Sequence, residues 1–426
     1  MPWSGPPSRP RSASPRRSAK PSRAVERARG RRIAEPVDYA DFDYGDPVAK
    51  WFVTEAFRIG DTADLVRQAG EQLHAGGIPL YRLSYIQRTL HPEFIGYGFF
   101  WRRGHGVDKV RAPISIEDQS EYRDNPLPAV FEHGKTVRVR LEREADPQAP
   151  LLRQLQAEGA TDYVALPVIF TDGRIDGLSV TSDAPGGFSR QDLDRMFALQ
   201  FMFARIVEIH NLRATATNLL DTYVGHDAGA RILDGAIHRG DGETIRAVIW
   251  YCDLRGFTGL SDHLPRDDLI GMLNDFFACM AGPVEAAGGQ VLKFVGDAML
   301  AIFRIGADDE KTVAGTALDA AHQAVGAAER LNRQRQADGK PNLDFGLALH
   351  IGDVMYGNIG APSRLDFTVI GPAVNLAARL QAQSRDIGHA ILCSAEIAAL
   401  RPGRVVSCGP HRMKGMAAAV EVFTVR

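Results

Sequence analysis

The stretch Gly288-Gly-Gln-Val-Leu-Lys-Phe-Val-Gly-Asp-Ala-Met-Leu300 decides the fold. Two apolar runs, Gln290–Val295 and Ala298–Phe303, flank Gly296-Asp297, and this reads as a tight β-hairpin with an acid at its tip. Upstream, Ala247-Val-Ile-Trp-Tyr-Cys252 is a continuous apolar strand that ends on Asp253. Arg255-Gly-Phe-Thr258 then turns sharply into a helix starting near Thr258 or Ser261. A second helix runs from about Asp267 to Ala286, with Leu269, Ile270, Leu273, Phe276, Phe277, Met280 and Val284 on its buried side. If one sheet brings Asp253 and Asp297 together, they form a two-carboxylate cradle for hard divalent cations. Mg2+ that keeps its waters is usually held by one or two carboxylates plus substrate phosphates, so a nucleoside triphosphate is the natural guest.

An acid in a hairpin turn is commonplace by itself, and so is Asp-x-x-Gly-Phe-Thr; their company gives them weight. Lys293 stands four residues before Asp297. Downstream comes Thr368-Val-Ile-Gly-Pro-Ala-Val-Asn-Leu-Ala-Ala-Arg-Leu380, in which Asn375 and Arg379 are spaced i, i+4 on a helix whose apolar face is Val374, Leu376, Ala377 and Leu380. One helix face therefore presents an amide and a guanidinium together. The helix start after Gly256 leaves backbone N–H groups free to hold phosphate oxygens.

The blocks Tyr251–Thr258, Gly288–Leu300, Leu349–Gly360, Asp366–Leu380 and His411–Gly415 together resemble the catalytic domain of the class III nucleotidyl cyclases. The resemblance covers residues 245–426 and implies an α/β fold with a ferredoxin-like βαββαβ core. It also implies roles by position. Asp253, the adjoining Leu254 and Asp297 match the metal site, where two Mg2+ or Mn2+ ions per active site, about 4 Å apart, activate the ribose 3′-hydroxyl and steady the triphosphate. Asn375 matches the ribose-orienting residue and Arg379 the one that stabilises charge on the pentavalent phosphorus, a task suited to a planar donor fork. Lys414 matches the lysine on the β/γ phosphates, and Phe257 and Thr258 lie where backbone amides cap the polyphosphate. Lys293 facing adenine N1 and Thr368 accepting from N6 imply ATP, since the guanylyl members place an acid at the lysine position. Family members build each site from two chains, and all these positions are intact here, so the resemblance implies a head-to-tail homodimer. Departures are small: Leu254 where isoleucine is commoner, and Pro372 after Gly371. A guanylate or dual-specificity cyclase, and a catalytically silent dimerisation or nucleotide-sensing module, are the alternatives.

The remaining half reads differently. From Met1 to about Ile33 the sequence is Ser, Pro, Arg and Lys with hardly a large apolar side chain, and residues 1–45 read as a disordered basic tail; a solvated tail is favoured over an arm for anionic lipid or nucleic acid. Residues 46–190 open with a helix through Trp51, Phe52, Ala56, Leu65 and Leu73 and continue with strand-like runs at Leu80–Ile86, Phe94–Trp101, Tyr163–Phe170 and Ile175–Ser182. That α+β order, closing on Gly186-Gly-Phe-Ser-Arg-Gln-Asp-Leu193, resembles a GAF-type sensor domain for an unidentified small-molecule or protein signal. In residues 191–244, apolar residues from Leu193 to Leu212 recur at helical spacing, a connecting helix that forms either a two-chain seam or a helix packed on its own domain. Gly225–Thr244 reads as a jointed connector.

Composition bounds the rest. With 426 residues, 45% hydrophobic and 24% charged, the chain has material for two globular cores. A net charge of -2 argues against nucleic acid as the main partner. Neither a bilayer-spanning run of about 18 apolar residues nor the apolar core of a signal peptide is present, which reads as cytoplasmic. The four cysteines have no CxxC spacing and indicate neither zinc nor disulfides.

Overall fold

The structure, a computed structural model, describes residues 43–426 apart from positions 93, 145, 146 and 307. Residues 1–42 of the expected basic tail lie outside the described residues. Two sheets organise the chain. The first joins β1 (Arg82–Arg88), β2 (Phe94–Arg102), β3 (Gly106–Pro113), β4 (Val137–Val139), β5 (Asp162–Ile169) and β6 (Ile175–Ser182) in the order β3-β2-β1-β6-β5-β4, every neighbour antiparallel. Strand alternation sends Leu83, Tyr85, Phe99, Trp101 and Val180 to one face. There they pack on α1 (Pro47–Thr54), α2 (Thr62–Ala75) and the first half of a long helix, α5 (Arg190–Val224). Two short helices, α3 (Leu127–His133) and α4 (Pro150–Ala157), cover part of the other face around Tyr163.

β3 and β4 were not expected from the sequence. β3 carries Asp108, Lys109 and Arg111 on an edge and is mostly exposed, so it has no apolar alternation to betray it. Of the two expectations for the connecting helix, α5 shows packing on its own domain over its first half. Its buried residues run from Leu193 to Asn211, packed on its own domain, and beyond that Leu212, Leu219 and Tyr223 are exposed. The segment read as a jointed connector instead contains a helix, α6 (His226–Leu233).

The second sheet has the order β13-β14-β12-β10-β7-β9-β8, with β11 paired to the outer half of β10. Its centre is β7 (Gly242–Leu254), which begins ahead of the apolar run and pairs antiparallel with β9 (Ala298–Ile305) and β10 (Phe345–Ala361). β8 (Gln290–Val295) completes the hairpin with β9. With α8 (Arg266–Ala286) after β7 and α9 (Glu310–Ala337) after β9, the order β10-β7-β9-β8 is the ferredoxin-like βαββαβ arrangement. Both helices pack on one face, where Trp250 and Cys252 meet Phe276, Met280, Ala317 and Leu318. Ile270, expected inside, is 43% exposed: Met272, Phe276, Cys279 and Met280 carry the buried stripe.

The opposite face receives α10 (Pro372–Ile387), which follows β11 (Arg364–Ile370). Small residues set its distance: a Cβ at Gly352 would lie 2.7 Å from the Ala373 Cβ, and one at Gly346 would lie 2.0 Å from Ser384 Oγ. The chain ends with β12 (Ile391–Ser394), α11 (Ala395–Leu400), β13 (Val405–His411) and β14 (Val420–Val425). Because neither Cβ at the Gly352 contact can swing aside, Gly352→Ala is expected to lower stability by about 1–3 kcal/mol. A reduced urea midpoint at unchanged m-value is the readout; an unaltered midpoint would mean that α10 is not seated on this contact.

Candidate active site

β7 delivers Asp253 and the β8–β9 turn delivers Asp297, because the ladder pairs Asp253 with Ala298. The Leu254 amide donates to the Asp297 carbonyl at 3.3 Å, which ties the two strand ends together. Gly296 takes a φ of +62°, so the turn can tighten beneath the acid without a Cβ penalty. The carboxyls meet: burial and the facing Asp297 carboxylate push the Asp253 pKa up to about 7. The same surroundings raise Tyr251, through burial first and the two aspartates next. Tyr251 was not singled out as a site residue, though strand alternation from Asp253 puts it on the same face.

The turn after Asp253 is pinned from outside. Arg255 pairs with Asp344 at 3.1 Å, donates to the His389 carbonyl at 3.0 Å, and its amide donates to the Asp344 carbonyl at 2.7 Å. Gly256 then adopts a left-handed conformation, φ +75°, and α7 (Phe257–Ser261) begins. Phe257 is half-buried against the core and Thr258 is exposed, so this short turn presents first-turn amides at the surface beside the strand end. The Leu254 side chain is 2% exposed within the core, which leaves only its backbone carbonyl for a ligand.

A second group assembles on α10. Asn375 is exposed and Arg379 half-buried, one turn apart on the face away from Ala373, Ala377 and Leu380. Met413 is buried with Ala348, Leu380 and Leu392, and Leu376 packs on the same cluster, which fixes the loop after β13 against α10. That loop carries the exposed Lys414, and a Cβ on Gly415 would lie 3.6 Å from Arg379 Nη2. Arg379 and the Lys414–Gly415 loop are therefore neighbours although 35 residues of sequence separate the two cations.

Lys293, half-buried on β8, pairs with Leu300, which pairs with Tyr251. Thr368 on β11 pairs with Gly357, and Gly357 pairs with Gly242 at the other end of β7 from Asp253. Its side chain is 3% exposed and its hydroxyl is buried without a hydrogen-bond partner among the described residues. An orphaned hydroxyl is costly, by about 1–3 kcal/mol, and marks a place where a partner is missing. No group of three or more His, Cys, Asp or Glu side chains poised for a metal occurs among the described residues; the aspartate pair is a two-carboxylate site.

Residues 243–424 match the family described as the adenylate and guanylate cyclase catalytic domain. This region is a nucleotidyl cyclase domain. Its relatives include an adenylate cyclase of Anabaena cylindrica, 32% identical over 204 residues, 45% of this chain and 38% of that one. Adenylate cyclase 1 of Rhizobium meliloti is 28% identical over 180 residues, 41% of this chain and 26% of the relative. The chain thus spans well under half the length of these curated relatives. Among solved structures, the adenylyl cyclase CyaB from P. aeruginosa is 28% identical, covering 44% of this chain and 96% of that one with a TM-score of 0.39. The guanylyl cyclase Cya2 is also 28% identical, covering 43% and 93%, with a TM-score of 0.39. Class III cyclase domains are metal-dependent, and the oxygen-only pair on β7 and β9 fits a hard divalent cation.

The cyclase domain's carboxyl pair has a pH signature. A carboxyl whose folded-state pKa is raised gives stability that is full below the unfolded value of about 4 and is lost as pH rises through about 7. The melting temperature of metal-free protein is expected to fall between about pH 4 and 7 from this pair, and Asp297→Asn to flatten that fall. Mg2+ or Mn2+ should raise the melting temperature at pH 8 in the wild type only. A pH profile identical in Asp297→Asn would mean the two carboxyls do not share a site.

Proposed function

We propose that the protein is a cytoplasmic, homodimeric adenylate cyclase that converts ATP to 3′,5′-cyclic AMP and pyrophosphate. The observation that carries the reading is the facing of Asp253 and Asp297, whose mutual repulsion a cation would relieve. In this reading Asp253, the Leu254 carbonyl and Asp297 hold two Mg2+ or Mn2+ ions. When bound, these supply Lewis-acid activation of the ribose 3′-hydroxyl and neutralise the triphosphate. The 3′-oxygen attacks the α-phosphorus, the bond to the β-phosphate oxygen breaks, pyrophosphate leaves, and the hydroxyl proton passes to solvent.

The chain's other residues position and stabilise. Arg379 meets the charge that develops on the α-phosphoryl group with a fixed donor fork, and Asn375 orients the ribose one helical turn away. Lys414, beside Arg379, holds the β and γ phosphates, and the amides of Phe257 and Thr258 cap the polyphosphate. Lys293 donates to adenine N1. Thr368 accepts from the N6 amine, and its orphaned hydroxyl supports a substrate partner there. Lysine rather than an acid at position 293 favours ATP over GTP, since guanine presents a donor where adenine presents an acceptor.

Each site is proposed to join the carboxylates of one protomer with the base, ribose and phosphate residues of its partner, head to tail. Phe294 and Val295, 52% and 50% exposed beside the acid-bearing turn, and the exposed Leu212, Leu219 and Tyr223 of α5 supply apolar surface for a second copy. Residues 46–190 are proposed as a GAF-like sensor for a small molecule, with 191–244 as the link and 245–426 as the catalytic domain.

No helix among the described residues is long and apolar enough to cross a membrane.

Two outcomes test this function. Asp253→Ala and Arg379→Ala should each abolish cyclic AMP formation, to below about 1%. Their mixture should recover at most about a quarter of wild-type activity through hybrid dimers with one intact site. No recovery from a mixture that dimerises rules out the shared site. Lys293→Glu should lower kcat/KM for ATP by about tenfold or more relative to GTP; an equal loss on both nucleotides removes Lys293 from base recognition.

A further inference from the structure

The N-terminal sheet has one face that its helices leave partly unfilled. Opposite the face covered by α1, α2 and α5, its central strands carry Arg82, Ser84, Gly98, Ser179 and Thr181 where large apolar side chains would close a core. The small side chains at Ser84, Gly98, Ser179 and Thr181 leave a cavity of about 290 Å³, walled on the far side by apolar residues that include Ile116, Leu127, Phe131 and Leu155. That is at the small end of ligand pockets, roughly 300–1000 Å³.

The polar groups form a row. Arg82 pairs across the ladder with Thr181, and Thr181 with Tyr163, so three side chains from β1, β6 and β5 stand side by side over the cavity. Tyr163 is 1% exposed and its hydroxyl has no partner within hydrogen-bond geometry among the described residues. Burial pushes its pKa up to about 12, a rise that the neighbouring Ser179 hydroxyl and Arg82 moderate. Arg82 has burial as the main cause of a lowered pKa, held by a 3.2 Å bond from Nε to Ser84 Oγ and by the Phe100 ring, 5.2 Å from its guanidinium carbon. No ion pair to Arg82 forms among the described residues; Glu158 acts on it through space and is itself engaged by Arg102, Tyr81 and Gln154. A largely desolvated guanidinium that forms no ion pair among the described residues, beside a buried hydroxyl in a chamber with apolar walls and a few polar groups, is poised for a ligand.

We propose that this cavity binds a small aromatic carboxylate, its carboxylate on Arg82 and a second polar substituent on the Tyr163 hydroxyl. The guanidinium fork suits a carboxylate, the Phe100 and Phe131 rings suit a planar apolar body, and the cavity is of small-molecule size. For its consequence the inference rests on the sensor reading of residues 46–190, but binding itself does not.

The test uses the full chain with 4-hydroxybenzoate as probe and its methyl ester as the neutral control, by calorimetry and thermal shift. The acid is expected to bind and raise the melting temperature, the ester to bind at least about tenfold more weakly, and Arg82→Gln to weaken the acid by about tenfold or more. Tyr163→Phe, which removes one oxygen without altering shape, should weaken the acid by a smaller factor and raise ligand-free stability. No binding of the acid by folded wild-type protein overturns the site, as does equal binding of acid and ester or acid binding unaffected by both substitutions. Cyclic nucleotide formation is followed separately: binding without a change in activity overturns the sensor reading and leaves the site standing.

Discussion

The arrangement of the catalytic domain depends on holding two like charges together. Asp253 and Asp297 repel, and nothing in their own chemistry keeps them near each other. What does is the ladder of β7 with β9, backed by side chains buried on both faces: Val248, Trp250 and Cys252 on one, Ala247 and Ile249 on the other. The cation two residues on does not relieve the strain, because Arg255 is committed to Asp344 and the His389 carbonyl. A neighbouring arginine turned towards the pair would satisfy it and close it to metal. Turned away, it anchors the strand end while leaving the pair unneutralised.

The second half of the site is positioned by an opposite device, closeness of small residues. α10 approaches the sheet at Gly352 and Gly346, where any Cβ would collide, and its alanines occupy the contact. Interiors packed this closely move as units, so a helix seated on glycine and alanine delivers its outward side chains with little play. Arg379 inherits that definition, and Met413, locked into the same cluster, brings Lys414 alongside. Catalytic groups on a rigid helix and strand need less reorganisation than groups on free loops.

Where pattern and burial coincide, the sequence is transparent. The apolar run of β7, the hairpin with Asp297 and the face of α10 each obey one periodicity, and each element stands where that periodicity puts it. Elements whose role is not to be buried escaped it. β3 is a charged edge strand, and α6 sits in a glycine-punctuated stretch whose helix is held by tertiary bonds rather than propensity. Ile270 shows the reverse error: an apolar residue one position off the stripe is drawn inward by periodicity and left outside by packing. The unfilled face of the N-terminal sheet was hidden for a third reason. Ser84, Gly98, Ser179 and Thr181 look like ordinary solvent-facing positions until the ladder shows that they share one covered face.

How the halves are joined follows from α6. The Tyr356 hydroxyl bonds to Asp227 at 2.7 Å, and Arg231 lies over the Tyr356 ring while pairing with Asp227 and Glu243. Asn358 donates to the Ala236 carbonyl at 2.7 Å, and its backbone bonds to Asp241 and Gly240. These contacts clamp the end of the long helix onto β10 and the start of β7. Tyr356 pairs with Val369, the residue after Thr368. α5, 35 residues and so about 50 Å long, is buried in the N-terminal domain over its first half only. The end of the long helix is thus fastened beside the strand that carries Thr368, at the opposite end of β7 from Asp253 and Asp297.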